Sequence, residues 1–102
     1  MNYRELVSEF SKNPRDVHTV PLTRREHKWF YVFVDGDVLC VESAHNHTPR
    51  SSLKKRKLPE KECENMLLLY RERKSGKSVS AEAHSYTYSQ VYWYGVFSAL
   101  GL

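Results

Sequence analysis

Apolar side chains recur with helical spacing at the start of the chain. An Asn2–Glu5 pair is typical of a helix N-cap, and Pro14 is a stop signal. The stripe has about two and a half turns, too few to be stable alone, so we expect this helix to dock on another element. The stripe positions, at i, i+3, i+4 and i+7, are Tyr3, Leu6, Val7 and Phe10.

The next segment has the short-period pattern of strands. Residues 17–20 predict a first strand, and 27–34 and 37–43 predict two more around Asp35-Gly36. An Asp-Gly pair between two β-rich runs is the strongest short-range hairpin signal, and it predicts a type I′ turn. Residues 29–34 are apolar at every position, which predicts a central strand covered on both faces.

The last part of the chain is predicted to be largely helical. Residues 44–57 have no hydrophobic periodicity and predict a basic loop. Residues 59–74 predict a helix, since Pro and Glu come first, Arg and Lys last, and Gly76 follows. A capping box at Thr87–Gln90 predicts a final helix over 88–100, although the β-rich composition of 86–97 leaves a strand as an alternative.

These elements predict an α+β fold in a single small domain spanning 1–102: an N-terminal helix, a three-stranded antiparallel meander and a helical C-terminal third. Within the second helix we expect a buried stripe of Cys63, Met66, Leu67 and Tyr70, with Leu69 at its margin. The remaining predicted core residues are Tyr3, Leu6, Val7, Phe10, Phe30, Val32, Val34, Leu39, Val41, Val91 and Phe97.

Composition narrows the class of protein. A chain of 102 residues leaves room for one core and disfavours lobes that enclose a large cofactor, so no cofactor is predicted. The sequence has no apolar run of signal-peptide or membrane-span length, which predicts a protein without a membrane partner. Cys40 and Cys63 each lie within an apolar pattern, so buried free thiols and a cytoplasmic location are expected.

Positive charge is concentrated in one part of the sequence. Residues 48–77 contain ten Lys and Arg against four Glu, a net charge of +6, while the rest of the chain carries −2. Such a segment is typical of a surface that contacts nucleic-acid phosphates, although a solvated loop has the same appearance. The candidate phosphate contacts are Arg50, Lys54, Lys55, Arg56 and Lys57, extended by Arg71, Arg73, Lys74 and Lys77 if the helix end folds beside the loop.

The order of the last elements also resembles a helix-turn-helix. In that arrangement the first turn of the final helix would present Gln90 to base edges, since Gln pairs with adenine through two atoms. Residues 85–102 contain no charged side chain, however, whereas a helix in the major groove normally brings cations to the phosphates. A helix apolar on nearly every side is more often buried in a core or an interface.

Histidines give a weak metal candidate. Cys40, His45 and His47 lie within eight residues, and an alternating His-x-His pair can converge on one ion. No fourth ligand is indicated by spacing, so no metal site is predicted.

Two functions follow from these patterns. The leading hypothesis is nucleic-acid binding, or a regulatory role, through the basic segment 48–77. The alternative is a protein–protein interaction or homodimerisation module that uses the uncharged aromatic segment 85–102. No motif predicts catalysis, which leaves enzymatic activity open. Trp93 separates the two functions, because a core Trp93 cannot serve as an exposed contact.

Overall fold

Three helices and four strands make up the parts of the chain that the structure describes. The computed structural model describes residues 2–20, 28–47, 53–76 and 89–102. In chain order the elements are α1 (Tyr3–Lys12), β1 (Arg15–His18), β2 (Trp29–Asp35), β3 (Val38–Ser43), β4 (Arg56–Leu58), α2 (Glu60–Lys74) and α3 (Gln90–Ala99). The predicted α+β fold is confirmed.

The strands form one antiparallel sheet in the order β1-β2-β3-β4. The prediction of three strands was therefore wrong by one, because β4 begins within the segment 44–57 that was predicted to be a loop and ends at Leu58. Among its three residues only Leu58 is apolar, so β4 has no periodicity of its own and depends on pairing with β3, where Leu39 lies opposite Leu58. The first strand also starts earlier than predicted, at Arg15.

The predicted β2–β3 hairpin is confirmed, but its turn is shifted by one residue. Asp35 still belongs to β2 and pairs with Val38, so the loop residues are Gly36 and Asp37. Gly36 has φ +64°, and Asp37 does not have a positive φ. Glycine with a positive φ at the first loop position is the pattern of a type II′ turn, whereas type I′ needs a positive φ at both positions.

The two faces of the sheet have different surroundings. Alternate residues of the strands are buried in one hydrophobic cluster with the helices, and we call this side the helix face. Its most buried members are Val17, Phe30, Val32, Leu39, Val41 and Leu58. Residues of the opposite parity lie on the other side, which we call the open face. It carries Asp16, His18, Trp29, Tyr31, Phe33, Cys40, Glu42 and Lys57.

Tyr3 of α1 fixes the β4 edge of the sheet. Its hydroxyl donates to the carbonyl of Leu58 at 2.6 Å and accepts from the backbone N–H of Leu39 at 2.8 Å. The two strands are thus joined by a buried side chain as well as by their own ladder. This contact compensates for the small number of backbone bonds that a three-residue strand can make.

The C-terminal helices pack on the helix face and on each other. Trp93 near the start of α3 donates to Glu62 near the start of α2, and Phe97 further along α3 packs against Tyr70 further along α2. The two helices therefore run in the same direction. The helical prediction for 88–100 is confirmed over Gln90–Ala99, and the strand alternative was wrong. Val91, predicted to be core, is exposed, while Trp93 is fully buried. A helix without charged residues gives no periodic signal of which side is buried.

Gly95 allows α3 to approach the sheet closely. A Cβ atom at this position would lie 2.8 Å from the carbonyl oxygen of His18 and 2.8 Å from Cζ of Phe30. Neither neighbour moves easily, because one is strand backbone and the other is a core ring that is 2% exposed. Gly95 therefore has a packing role.

We expect Gly95→Ala to lower the free energy of unfolding by about 1–3 kcal/mol, because the added methyl group pushes α3 away from β1 and Phe30. Urea unfolding followed by circular dichroism measures the change. Ser98→Ala, one turn further along the same helix, is the control and should stay within about 0.5 kcal/mol. Equal stability of the two variants would contradict the close contact.

Candidate functional site

A row of aromatic side chains occupies the open face of the sheet. Trp29, Tyr31 and Phe33 take three consecutive open-face positions of β2, and all three are partly exposed. An antiparallel sheet with one solvated face normally carries polar residues there. The predicted cover of 29–34 is partial on this face, where the described cover is one short segment that reaches Trp29 and Tyr31.

That segment follows β3 and crosses β2 to reach β1. Its backbone N–H groups at His45, Asn46 and His47 donate to the carboxylate of Asp16, at 2.8, 2.7 and 2.9 Å. Nδ1 of His47 lies 2.9 Å from the same carboxylate. The Asp16 side chain is only 2% exposed. One buried carboxylate thus holds residues 45–47, which we call the histidine loop.

The two imidazoles of the histidine loop lie flat on the aromatic row. The His45 ring stacks on Tyr31 with centroids 3.5 Å apart and an interplanar angle of 5°. The His47 ring stacks on Trp29 at 3.6 Å and 3°. Nε2 of His45 also lies 2.6 Å from Oε2 of Glu42, the cross-strand neighbour of Tyr31. Each ring is therefore fixed by one stacking contact and one carboxylate.

Electrostatics fit this arrangement. Burial alone would raise the pKa of Asp16, but the hydrogen bonds from the histidine loop outweigh it and lower that pKa below its usual range. At the other end of β2, a hydrogen bond from Lys55 lowers the pKa of Asp35 and raises the pKa of Lys55. Each carboxylate of this face is therefore compensated by a nearby donor.

The cations preceding and within β4 lie in different surroundings. Lys57 belongs to the open face, opposite Cys40. Lys55 pairs with Asp35 and lies 6.0 Å from the centre of the Phe33 ring. Arg56 points to the helix side, where it lies over Tyr92 and donates to Ser89. Lys54 and Lys57 are exposed and make no ion pair among the described residues.

The second group of predicted phosphate contacts lies at the far end of α2. Lys74, the last residue of the helix, is roughly 20 Å along the axis from the first, Glu60. There Arg73 donates to the carbonyl of Val20, and Lys74 donates to that of Leu102. Arg71 is exposed in the same turn. The helix end therefore lies by β1 and Leu102, away from β4, and does not extend the β4 cations into one patch.

The remaining predicted contacts include two positions that cannot be placed. Arg50 and Lys77 lie outside the described residues. Gln90 is partly buried in the first turn of α3, behind which five consecutive residues, 93–97, are buried. A helix buried in this way has little surface to insert into a groove of DNA, which weakens the helix-turn-helix interpretation.

The weak metal candidate is not assembled. Among the described residues no group of three or more His, Cys, Asp or Glu side chains could hold a metal ion. Cys40 and Cys63 are both free and buried, as predicted. Burial raises the pKa of both thiols, that of Cys63 to about 11, so both are protonated near neutral pH and are poor nucleophiles or ligands.

Sequence reasoning missed the residues that organise this face. Asp16 and the row of Trp29, Tyr31 and Phe33 were not among the candidates, and His45 and His47 were considered only as metal ligands. Aromatic residues at 29, 31 and 33 with alternate spacing were a usable signal, since period two places them on one face. Nothing in the sequence links Asp16 to residues about thirty positions away.

Comparison with known proteins adds no relative. The chain matches no family model, and no curated protein or solved structure matches it. None of the helices in the described ranges is long and apolar enough to cross a membrane.

We expect Asp16→Asn to lower the free energy of unfolding at pH 7 by about 2 kcal/mol, because the variant lacks a buried charge-assisted acceptor of four hydrogen bonds. The pKa of Asp16 is lower in the folded state, so its stabilisation is complete above about pH 5 and disappears as pH falls through the folded pKa. Urea unfolding at several pH values should show the two proteins converging below about pH 4.

Asp37→Asn, in the exposed β2–β3 turn, is the matched control and should stay within about 0.5 kcal/mol of the parent. A difference between Asp16→Asn and the parent that is the same at pH 7 and pH 3 would show that the carboxylate charge does not hold the loop.

Proposed function

We propose that this chain binds single-stranded nucleic acid on the open face of its sheet, with phosphates contacting the lysines of the β4 edge and bases stacking on the aromatic rings that cover this face. The observation that carries the proposal is the combination of Trp29, Tyr31 and Phe33 on one partly exposed face with Lys57 on the same face and Lys54 exposed shortly before β4. The leading hypothesis from the sequence is thereby narrowed to part of the basic segment.

The aromatic row supports a binding role. Scattered exposed apolar residues need no explanation, but a contiguous row on the solvent side of a sheet is typical of an interaction surface. Aromatic faces suit nucleobases, because every base has a flat π-face and stacking tolerates any sequence. Sheets that present aromatic side chains in this way are one of the common platforms for single strands.

Charge supports an anionic ligand. The carboxylates of the open face are already engaged: Asp16 by the histidine loop, Asp35 by Lys55 and Glu42 by His45. Lys57 on the open face and Lys54 shortly before β4 are both exposed and make no ion pair among the described residues. A phosphate chain passing along this edge would meet cations and few uncompensated anions.

The form of the surface favours single strands over duplex DNA. Reading a duplex normally requires a helix or a ribbon that enters the major groove, and α3 is buried from Trp93 to Phe97. A sheet face instead receives bases that are already unstacked. We propose single-stranded DNA or RNA as the ligand class, in a reducing compartment, the cytoplasm, that suits two buried free thiols.

The protein-interaction alternative has less support. The aromatic residues of 89–102 that would form the interface are used in the core, with Trp93 and Phe97 fully buried and Val91 exposed at one position of α3. Trp93→Asp is therefore expected to abolish folding, and not merely to break a complex. Residues 85–88 of that segment lie outside the described parts of the chain.

Fluorescence anisotropy with labelled single-stranded DNA, single-stranded RNA and duplex DNA tests the proposal at about 50 and 200 mM salt. We expect single strands to bind more tightly than the duplex, with affinity falling steeply as salt rises. The double variant Lys54→Glu/Lys57→Glu should weaken binding at least about tenfold. It should also reduce the slope of log K against log salt by roughly 0.7 for each phosphate that the variant no longer neutralises.

Two control variants reverse a charge elsewhere, and when they are combined in one protein they match the charge change of the Lys54/Lys57 double variant. The first is Lys61→Glu, because Lys61 is exposed in the first turn of α2. The second is Arg71→Glu, because Arg71 is exposed near the end of the same helix. Both should bind single strands like the parent. Unchanged binding by the Lys54/Lys57 double variant, or an equally large decrease in the controls, would show that the β4 edge is not the phosphate-binding surface.

A further inference from the structure

We propose that His45 and His47 are the outer rings of two nucleobase subsites, in which a base stacks on each imidazole while the imidazole stacks on Tyr31 or Trp29. This inference rests on the proposed function and specifies how the open face would hold its ligand. It gives the histidine loop a binding role and makes Asp16 a positioning residue that acts through that loop.

Ring geometry is the first support. The two imidazoles are parallel to the rings beneath them within 5° and 3°, at 3.5 and 3.6 Å, so each presents a flat outer surface aligned with the aromatic row. His45 and His47 are two residues apart, as are Tyr31 and Trp29. Two residues of strand span roughly 7 Å, so the two stacked pairs are separated enough for two successive bases of an extended chain.

Exposure is the second support. The His45 side chain is 46% exposed and that of His47 is 43% exposed, although one face of each ring is covered. Nδ1 of His45 and Nε2 of His47 have no hydrogen-bond partner among the described residues. Each imidazole thus keeps a free ring nitrogen for a polar group of the ligand, in addition to its π-face.

Preorganisation is the third support. It bears on whether the histidine loop is part of the binding site or only blocks access to the aromatic row. If the histidine loop only blocked the aromatic row, a ligand would have to break four hydrogen bonds and leave the Asp16 carboxylate buried without partners. If the loop is part of the site, its rings are already fixed before binding, which reduces the entropy cost of binding the ligand. The buried clamp therefore favours a permanent layer of the site.

The test compares two labelled single strands of about twelve nucleotides with the same number of phosphates, an oligothymidylate and an abasic strand. The ratio of their dissociation constants measures what the bases contribute. His45→Ala and His47→Ala should each lower affinity for oligothymidylate roughly fivefold to a hundredfold, with little change for the abasic strand. His45→Phe and His47→Phe should restore most of that affinity, because a flat ring is retained.

Asn46→Ala is the matched control, since Asn46 belongs to the same loop, its side chain is exposed and its bond to Asp16 comes from the backbone. It should bind both strands like the parent. Asp16→Asn, once shown by circular dichroism to be folded, should weaken oligothymidylate binding without affecting the abasic strand.

The outcomes separate the two proposals. If the parent binds neither strand at low salt, both proposals fall. If it binds both strands equally, or if the alanine variants leave the ratio unchanged, phosphate binding stands and the two subsites are refuted. Tighter binding by His45→Ala or His47→Ala would show that the loop covers the aromatic row.

Discussion

The packing of the helices on one side of a four-stranded sheet is the constraint on which the rest of this structure depends. Phe30 and Val32 of β2 enter the core, so Trp29, Tyr31 and Phe33 must point the other way. Gly95 makes the packing tight, since α3 could not lie against β1 and Phe30 with a larger residue there. The exposure of the aromatic row is thus a consequence of how the core is built.

Asp16 fixes the segment that lies on the open face of the sheet. It belongs to β1, yet its carboxylate binds a segment that leaves β3, so it fixes the histidine loop across the strand between them. A buried carboxylate that accepts several N–H groups is stable only as long as all of them are kept in place. The loop is consequently held in one conformation with both imidazoles flat on the sheet.

How far the sequence predicts this molecule depends on whether the signal is local. The hairpin at Gly36 and the helix Glu60–Lys74 were predicted because their signals are local. An Asp-Gly pair marks the turn, and acidic and basic residues mark the two ends of the helix. β4 was missed because it exists through pairing with β3 and the hydroxyl of Tyr3, which lies 55 positions from Leu58. Val91 was assigned to the core because an uncharged helix does not reveal which side is buried.

The candidate site was only partly visible for the same reason. Clustered charge identified Lys54 and Lys57, but the sequence could not show that the side chains of Arg73 and Lys74 donate to the carbonyls of Val20 and Leu102, away from β4. His45 and His47 were considered for their spacing only as part of a weak metal candidate, and no such metal-binding group is found among the described residues. Their contacts with Tyr31, Trp29 and Asp16 arise from the tertiary fold and leave no pattern in the chain.

Chemical-shift mapping tests the central claim most directly. An amide ¹H–¹⁵N spectrum of the labelled protein would be recorded during titration with a single-stranded oligonucleotide at low salt. The account predicts that the largest changes fall on β2 from Trp29 to Phe33, on the histidine loop and on the residues around Lys57. Changes confined to the end of α2 near Arg73 and Lys74, or to the surface of α3, would contradict it.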